Sequence, residues 1–107
     1  MIRIFTLFIS LFIFNFSYAQ EKDFDVAIDY YNQKQYNVAQ LIFENIDSDI
    51  ALLYNAKCSR NLGSEDAIEL FSRLLEDFPF SIYHNEVYSS LAEIYYNDYN
   101  FSQAIIF

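Results

Sequence analysis

A chain of 107 residues with 15 acidic against 6 basic side chains, a formal charge of -9 and 54% hydrophobic residues holds at most one small domain. The acidic excess removes the phosphate neutralisation that drives nucleic-acid binding, so neither DNA nor RNA is an expected partner. One glycine and one proline leave little material for hairpins or phosphate-cradling loops, which makes helices the default, and acidic residues spread along the chain read as solvated helix faces.

Residues 1–19 have the three parts of a secretory signal: a basic start at Arg3, an apolar stretch over residues 4–16, and the small residues Ser17 and Ala19 flanking Tyr18. Cleavage after Ala19 is expected, giving an exported product, periplasmic or extracellular. Loss of Arg3 leaves 5 basic against 15 acidic residues, a side-chain charge of -10. At 13 residues the apolar stretch falls short of the roughly 20 that span a bilayer core, so an uncleaved signal acting as a membrane anchor is the alternative. No cysteine stands at the cleavage point for lipid attachment. Cys58 is the only cysteine, so the chain has no disulfide of its own, and the residue reads as a small buried apolar group.

From residue 20 to 107 the pattern predicts one all-α domain of helix pairs. Val26, Ala27, Tyr30 and Tyr31, then Val38, Ala39, Ile42, Phe43 and Ile46, recur at helical spacing. The polar break at residues 32–35 fits only a tight reversal, so these two helices should be antiparallel. Asn37 and Gln40 are read as a capping pair for the second of them. A second pair follows: residues 50–62, with Gly63 as C-terminal stop, then residues 65–78, capped by Ser64 and ended by Pro79. Glu65 and Asp66 fall in that helix's first turn, where negative charge is favoured. A further helix starts within residues 81–85 and carries Val87, Leu91, Ala92, Ile94 and Tyr95. After an Asn-rich break at residues 97–100, the stripe of Phe101, Ala104, Ile105 and Phe107 begins a helix that stops early. The three hairpins cover about residues 23–47, 49–79 and 82–107, the last incomplete.

The hairpins repeat a mark: Ala27, Ala56 and Ala92 in the first helix, Ala39, Ala67 and Ala104 early in the second. With Tyr30, Tyr36 and Phe43 in the first unit, Gly63, Phe71 and Pro79 in the second, and Leu91, Tyr95 and Phe101 in the third, the pattern resembles the tetratricopeptide repeat. The second unit has Ser59 where an aromatic is usual. Ala39 to Ala67 is 28 residues and Ala67 to Ala104 is 37, against about 34 in the family, so the connection after Ile46 must be tight. The resemblance implies an α-solenoid of stacked hairpins, preceded by the signal helix, with a concave face lined by the first helix of each pair.

Carried onto this sequence, that face comprises Ile28, Tyr31, Asn32, Lys57, Arg60, Asn61, Glu93, Tyr96 and Asn97. Asn32, Asn61 and Asn97 are equivalent across the units and either hydrogen-bond a bound peptide or end their helices. Lys57 and Arg60, one turn apart, either receive a carboxylate or pair with Glu65, Asp66 or Glu93. Some family members clamp a terminal carboxylate with a lysine early in the first unit. Phe24 occupies that place here, which does not support the same specificity.

The inventory for chemistry is thin. His84 is the only histidine and reads as a loop or first-turn residue, and Asp47 and Asp49 are half of a calcium loop whose remaining ligands are missing. No catalytic residue, cofactor or metal is expected. Five of the 12 Phe lie in the signal, and packing accounts for most of the other aromatics. The expected function is a non-catalytic protein-interaction or scaffolding module of the cell envelope that binds a peptide or partner protein. The alternative is the N-terminal sensory or docking part of a longer signalling or enzymatic protein. Membrane contact is expected only through the signal before cleavage, and the open end at residues 105–107 invites a further helix or self-association.

Overall fold

A computed structural model describes residues 20–97. They form α1 (residues 20–32), α2 (Tyr36–Phe43), α3 (Asp49–Asn61), α4 (Asp66–Asp77) and α5 (His84–Asn97), with no strand among the described residues. The all-α expectation therefore stands for this region. The signal segment and the apolar run from Phe101 to Phe107 lie outside the described residues.

Two reversals close by one mechanism. Lys34 takes φ 62° and Gly63 φ 70°, both in the left-handed region. At the first, the Gln35 amide reaches back to the Tyr30 carbonyl and the Lys34 amide to Tyr31, each at 2.9 Å. At the second, Ser64 donates to Ser59 at 2.9 Å and Gly63 to Arg60 at 3.0 Å. These paired bonds satisfy carbonyls that a helix end leaves open. Phe24 meets Phe43 and Tyr31 meets Tyr36 edge-on, with centroids 5.7 and 5.3 Å apart, so the start of α1 faces the end of α2 and the pair is antiparallel.

The starts of α2, α3 and α4 differ from expectation. Asn37 lies inside α2, which begins at Tyr36 with no side-chain cap, so the Asn37 and Gln40 capping pair does not form. For α3, the cap is Ser48, whose hydroxyl accepts from the Ala51 amide at 3.1 Å. Ser64 accepts from the Asp66 amide at 3.3 Å, but α4 begins at Asp66 with Glu65 in the cap position and no side-chain cap, one residue later than expected, and it ends at Asp77, two residues before Pro79.

Two apolar clusters share α3. Ala27, Ala39, Phe43, Ala51 and Cys58 unite α1, α2 and α3, while Leu52, Leu53, Ala56, Ala67, Phe71, Leu74, Val87 and Leu91 unite α3, α4 and α5. The repeat alanines Ala27, Ala39, Ala56 and Ala67 are all buried, where a larger side chain would hold the helices apart; Ala92 is only half-buried.

Gln40 ties α2 to α3 beyond their short connection. Its amide nitrogen donates to Asn55 Oδ1 at 2.9 Å and to Ser59 Oγ, so α2 is pinned to α3 by polar groups. Asn55 and Ser59 are buried, at 6% and 1% exposure, and no buried side-chain polar atom among the described residues lacks a partner.

Removing the Gln40 amide strands two buried acceptors. Gln40→Ala should lower the unfolding free energy by about 1–3 kcal/mol, read from urea midpoints at constant m-value. A loss below about 0.5 kcal/mol would show that the contact does not hold α2 in place. At the first reversal Lys34→Gly should raise stability by about 0.5–1 kcal/mol, because glycine adopts the left-handed conformation without a Cβ penalty. An unchanged or lower midpoint would contradict that geometry.

Candidate partner-binding face

α1, α3 and α5 lie side by side, and their facing side chains build the candidate site. Lys57 of α3 is ion-paired to Glu86 of α5, and one turn on Arg60 Nη2 meets Glu93 Oε1 at 2.8 Å. On the other side, Tyr31 of α1 packs edge-on against Tyr54 of α3 at 5.0 Å. Lys57 Nζ lies 4.9 Å from the Tyr54 ring centroid, within cation–π range.

Tyr31, Lys57, Arg60 and Asn61 thus line one cleft of about 370 Å³, closed on the α5 side by Glu86 and Ser90. A second, open cleft of about 650 Å³ runs from Arg60 past Gly63, Ala67 and Ile68 to Ile94 and Asn97. Arg60 borders both.

The remaining face residues are placed less uniformly. Glu93 joins the site through Arg60, and Tyr96 is exposed on α5. Ile28 is half-buried and packs into the first apolar cluster, so it serves the core. Asn32 and Asn61 are the last residues of α1 and α3, and Asn61 also donates to its own helix, to the Lys57 carbonyl at 2.9 Å. The reading of these asparagines as helix ends is thereby met at two of the three. Asn97 is the last described residue of α5.

Sequence reasoning paired Arg60 with Glu93 as one option but missed Glu86, Ser90 and Tyr54. The spacing gave no direct signal, since Glu86 and Glu93 stand two turns apart on α5 while Lys57 and Arg60 stand one turn apart on α3. The pairs are asymmetric. The cationic side chains are 24% and 30% exposed, their carboxylates 44% and 60%, so α3 holds the cations in the floor and α5 brings the carboxylates from the rim. Exposed pairs of this kind contribute about 0–1 kcal/mol each and exchange readily.

Burial pushes the Tyr31 phenol above its ordinary value; the Lys57 charge opposes this, Tyr36 and Cys58 add to the rise, and the Asn61 side chain lowers it. Burial also pushes the Cys58 thiol from 9.0 up to about 11, and its side chain is fully enclosed. His84 opens α5, and its Nε2 donates to the Phe78 carbonyl at 2.8 Å. Asp49 accepts from the Ile50 amide and from Ser81 Oγ, both at 2.8 Å, which commits it to α3 and the loop before α5. Among the described residues no group of three or more His, Cys, Asp or Glu is arranged to hold a metal ion, and no helix is long and apolar enough to cross a membrane.

Compared with protein-family models, curated proteins and solved structures, the chain matches none.

The raised thiol has a pH consequence. Unfolding frees Cys58 to ionise at its ordinary value, so its contribution is complete below pH 9.0 and is lost as pH rises towards about 11. Urea midpoints should fall across that window by on the order of 2 kcal/mol more in the native chain than in Cys58→Ala. Parallel falls in the two proteins would refute the assignment. Below pH 9, a thiol reagent should label Cys58 no faster than the protein unfolds.

Proposed function

We propose that this chain is an exported, non-catalytic protein-interaction module of the cell envelope, built of stacked helix hairpins of tetratricopeptide type. It binds an extended peptide or a segment of a partner protein along the face formed by α1, α3 and α5. The observation that carries this reading is the cleft in which Tyr31, Lys57, Arg60 and Asn61 converge from two helices, with Glu86 and Ser90 opposite. The signal-like residues 1–19 support export, and the repeated alanines, the two matched reversals and the sharing of α3 support the hairpin stack.

Such a face recognises rather than reacts. Tyrosine rings supply contact area at low entropic cost, Ser90 and Asn61 supply hydrogen-bonding groups, and the exchangeable ion pairs let a ligand's polar groups replace Glu86 or Glu93. The site's own charges balance, two cations against two carboxylates, within an otherwise acidic protein. Selectivity then comes from shape and hydrogen bonding more than from net attraction.

A peptide-library selection on the exported protein, followed by affinity measurement, tests this. Arg60→Ala and Tyr31→Ala should each weaken a selected peptide by about tenfold. The Arg60 change should cost no more than about 1 kcal/mol of stability, so folding and binding losses separate. Peptides whose affinity ignores both substitutions, or turnover of any substrate abolished by His84→Ala, would overturn the proposal.

A further inference from the structure

The end of the molecule opposite the Asn61 turn carries two large side chains that the packing leaves out. Phe80 is 98% and Ile82 84% exposed, whereas the other exposed large apolar side chains among the described residues range from 39% to 64%. The loop that presents them is held in place. Ser81 lies between them, its hydroxyl donating to Asp49 Oδ2 at 2.8 Å and accepting from the Tyr83 amide at 3.2 Å, while its own amide donates to the Phe78 carbonyl at 3.1 Å. The His84 ring fastens the same carbonyl. With Ser81 turned inward, its two neighbours are presented to the outside, where the fold itself gains nothing from an aromatic and a branched aliphatic side chain.

The same end is where the chain enters α1. Asp49, the anchor of Ser81, sits between Ser48 and Ile50, and those two share a shallow groove with Gln20, Phe24 and Ile46. The apolar stretch over residues 4–16 joins Gln20 through residues 17–19 alone. Four Cα steps reach at most about 14 Å, so whenever residues 4–16 lie in a bilayer this end is held close to its surface. We propose that this end of the domain is a lipid-docking surface, with Phe80 and Ile82 inserting into the interfacial layer of a membrane that holds residues 4–16.

Each contact strengthens the other, since a tether raises the effective concentration of the loop at the lipid surface. An apolar segment too short to span gains a second attachment. The charged side chains placed at this end, Glu21, Glu44, Asp47, Asp49 and Asp77 against Arg73, are acidic on balance, so the preferred surface is zwitterionic and not anionic. Cleavage after Ala19 would release the docked domain. This proposal is independent of the peptide-binding face, which lies on the side of the helices.

The chain contains no tryptophan, so Phe80→Trp and Ile82→Trp are single reporters at exposed positions. The full 107-residue chain carrying either would be reconstituted with phosphatidylcholine vesicles whose acyl chains are brominated. Both reporters should show a blue-shifted emission and loss of intensity to bromine, while Leu62→Trp, at the opposite end of α3, should show neither. Adding phosphatidylserine at low salt should reduce the effect. Equal quenching at all three positions overturns the proposal, as does none at Phe80→Trp when circular dichroism shows the helices intact, or quenching confined to anionic vesicles. A concentration-dependent blue shift of Phe80→Trp without lipid would overturn it by assigning the loop to a second copy of the chain.

Discussion

Everything described depends on α3 being buried from two sides at once. Most helices in small proteins hide one stripe, but α3 hides Ala51, Cys58 and Ser59 together with Leu52, Leu53, Asn55 and Ala56, seven residues of its 13. A helix so enclosed cannot carry large side chains all round without forcing its neighbours apart, and alanine, serine and cysteine meet that limit. The cost of the polar members is met locally, through Gln40. The enclosed thiol and the short α2–α3 connection are two expressions of the same crowding.

The candidate face follows from this enclosure. Lys57 and Arg60 project from the least mobile kind of support, a helix packed on both sides, so their heads are positioned while their partners on α5 are not equally constrained. Tyr54 and Tyr31 complete the floor by fixing α1 against α3 through ring edges, which ties the geometry of the cleft to the first apolar cluster. Binding chemistry and core packing therefore meet in the same few side chains.

Much of this architecture was legible in the sequence because it rests on local rules. The break at residues 32–35, the Gly63 stop and the Pro79 end each follow from backbone chemistry within a few residues, and the alanine marks locate close helix contacts. What escaped depends on contacts across the chain. Gln40 looked like a local cap because nothing nearby in sequence shows that Asn55 and Ser59, fifteen and nineteen residues on, need its amide. Glu86 escaped for the same reason, its partner lying on another helix. Lys34 in the left-handed region was hidden because glycine or asparagine usually signals that conformation. Of the face residues, Tyr31, Lys57, Arg60 and Asn61 line one cleft, whereas Ile28 is drawn into the core.

The sharing of α3 also bears on how such a chain can be divided. Its sequence carries an alanine mark in each helix of the pairs α1–α2 and α3–α4. Its packing closes in threes, since each apolar cluster draws on α3 and two other helices. A cut through the turn at Gly63 would therefore not give two small proteins but one complete trio left open along α3 and a pair, α4 and α5, deprived of its third member. The sequence marks and the packing are out of phase by one helix, so any shortening of the chain at a pair boundary uncovers a face of α3 that needs another helix to enclose it.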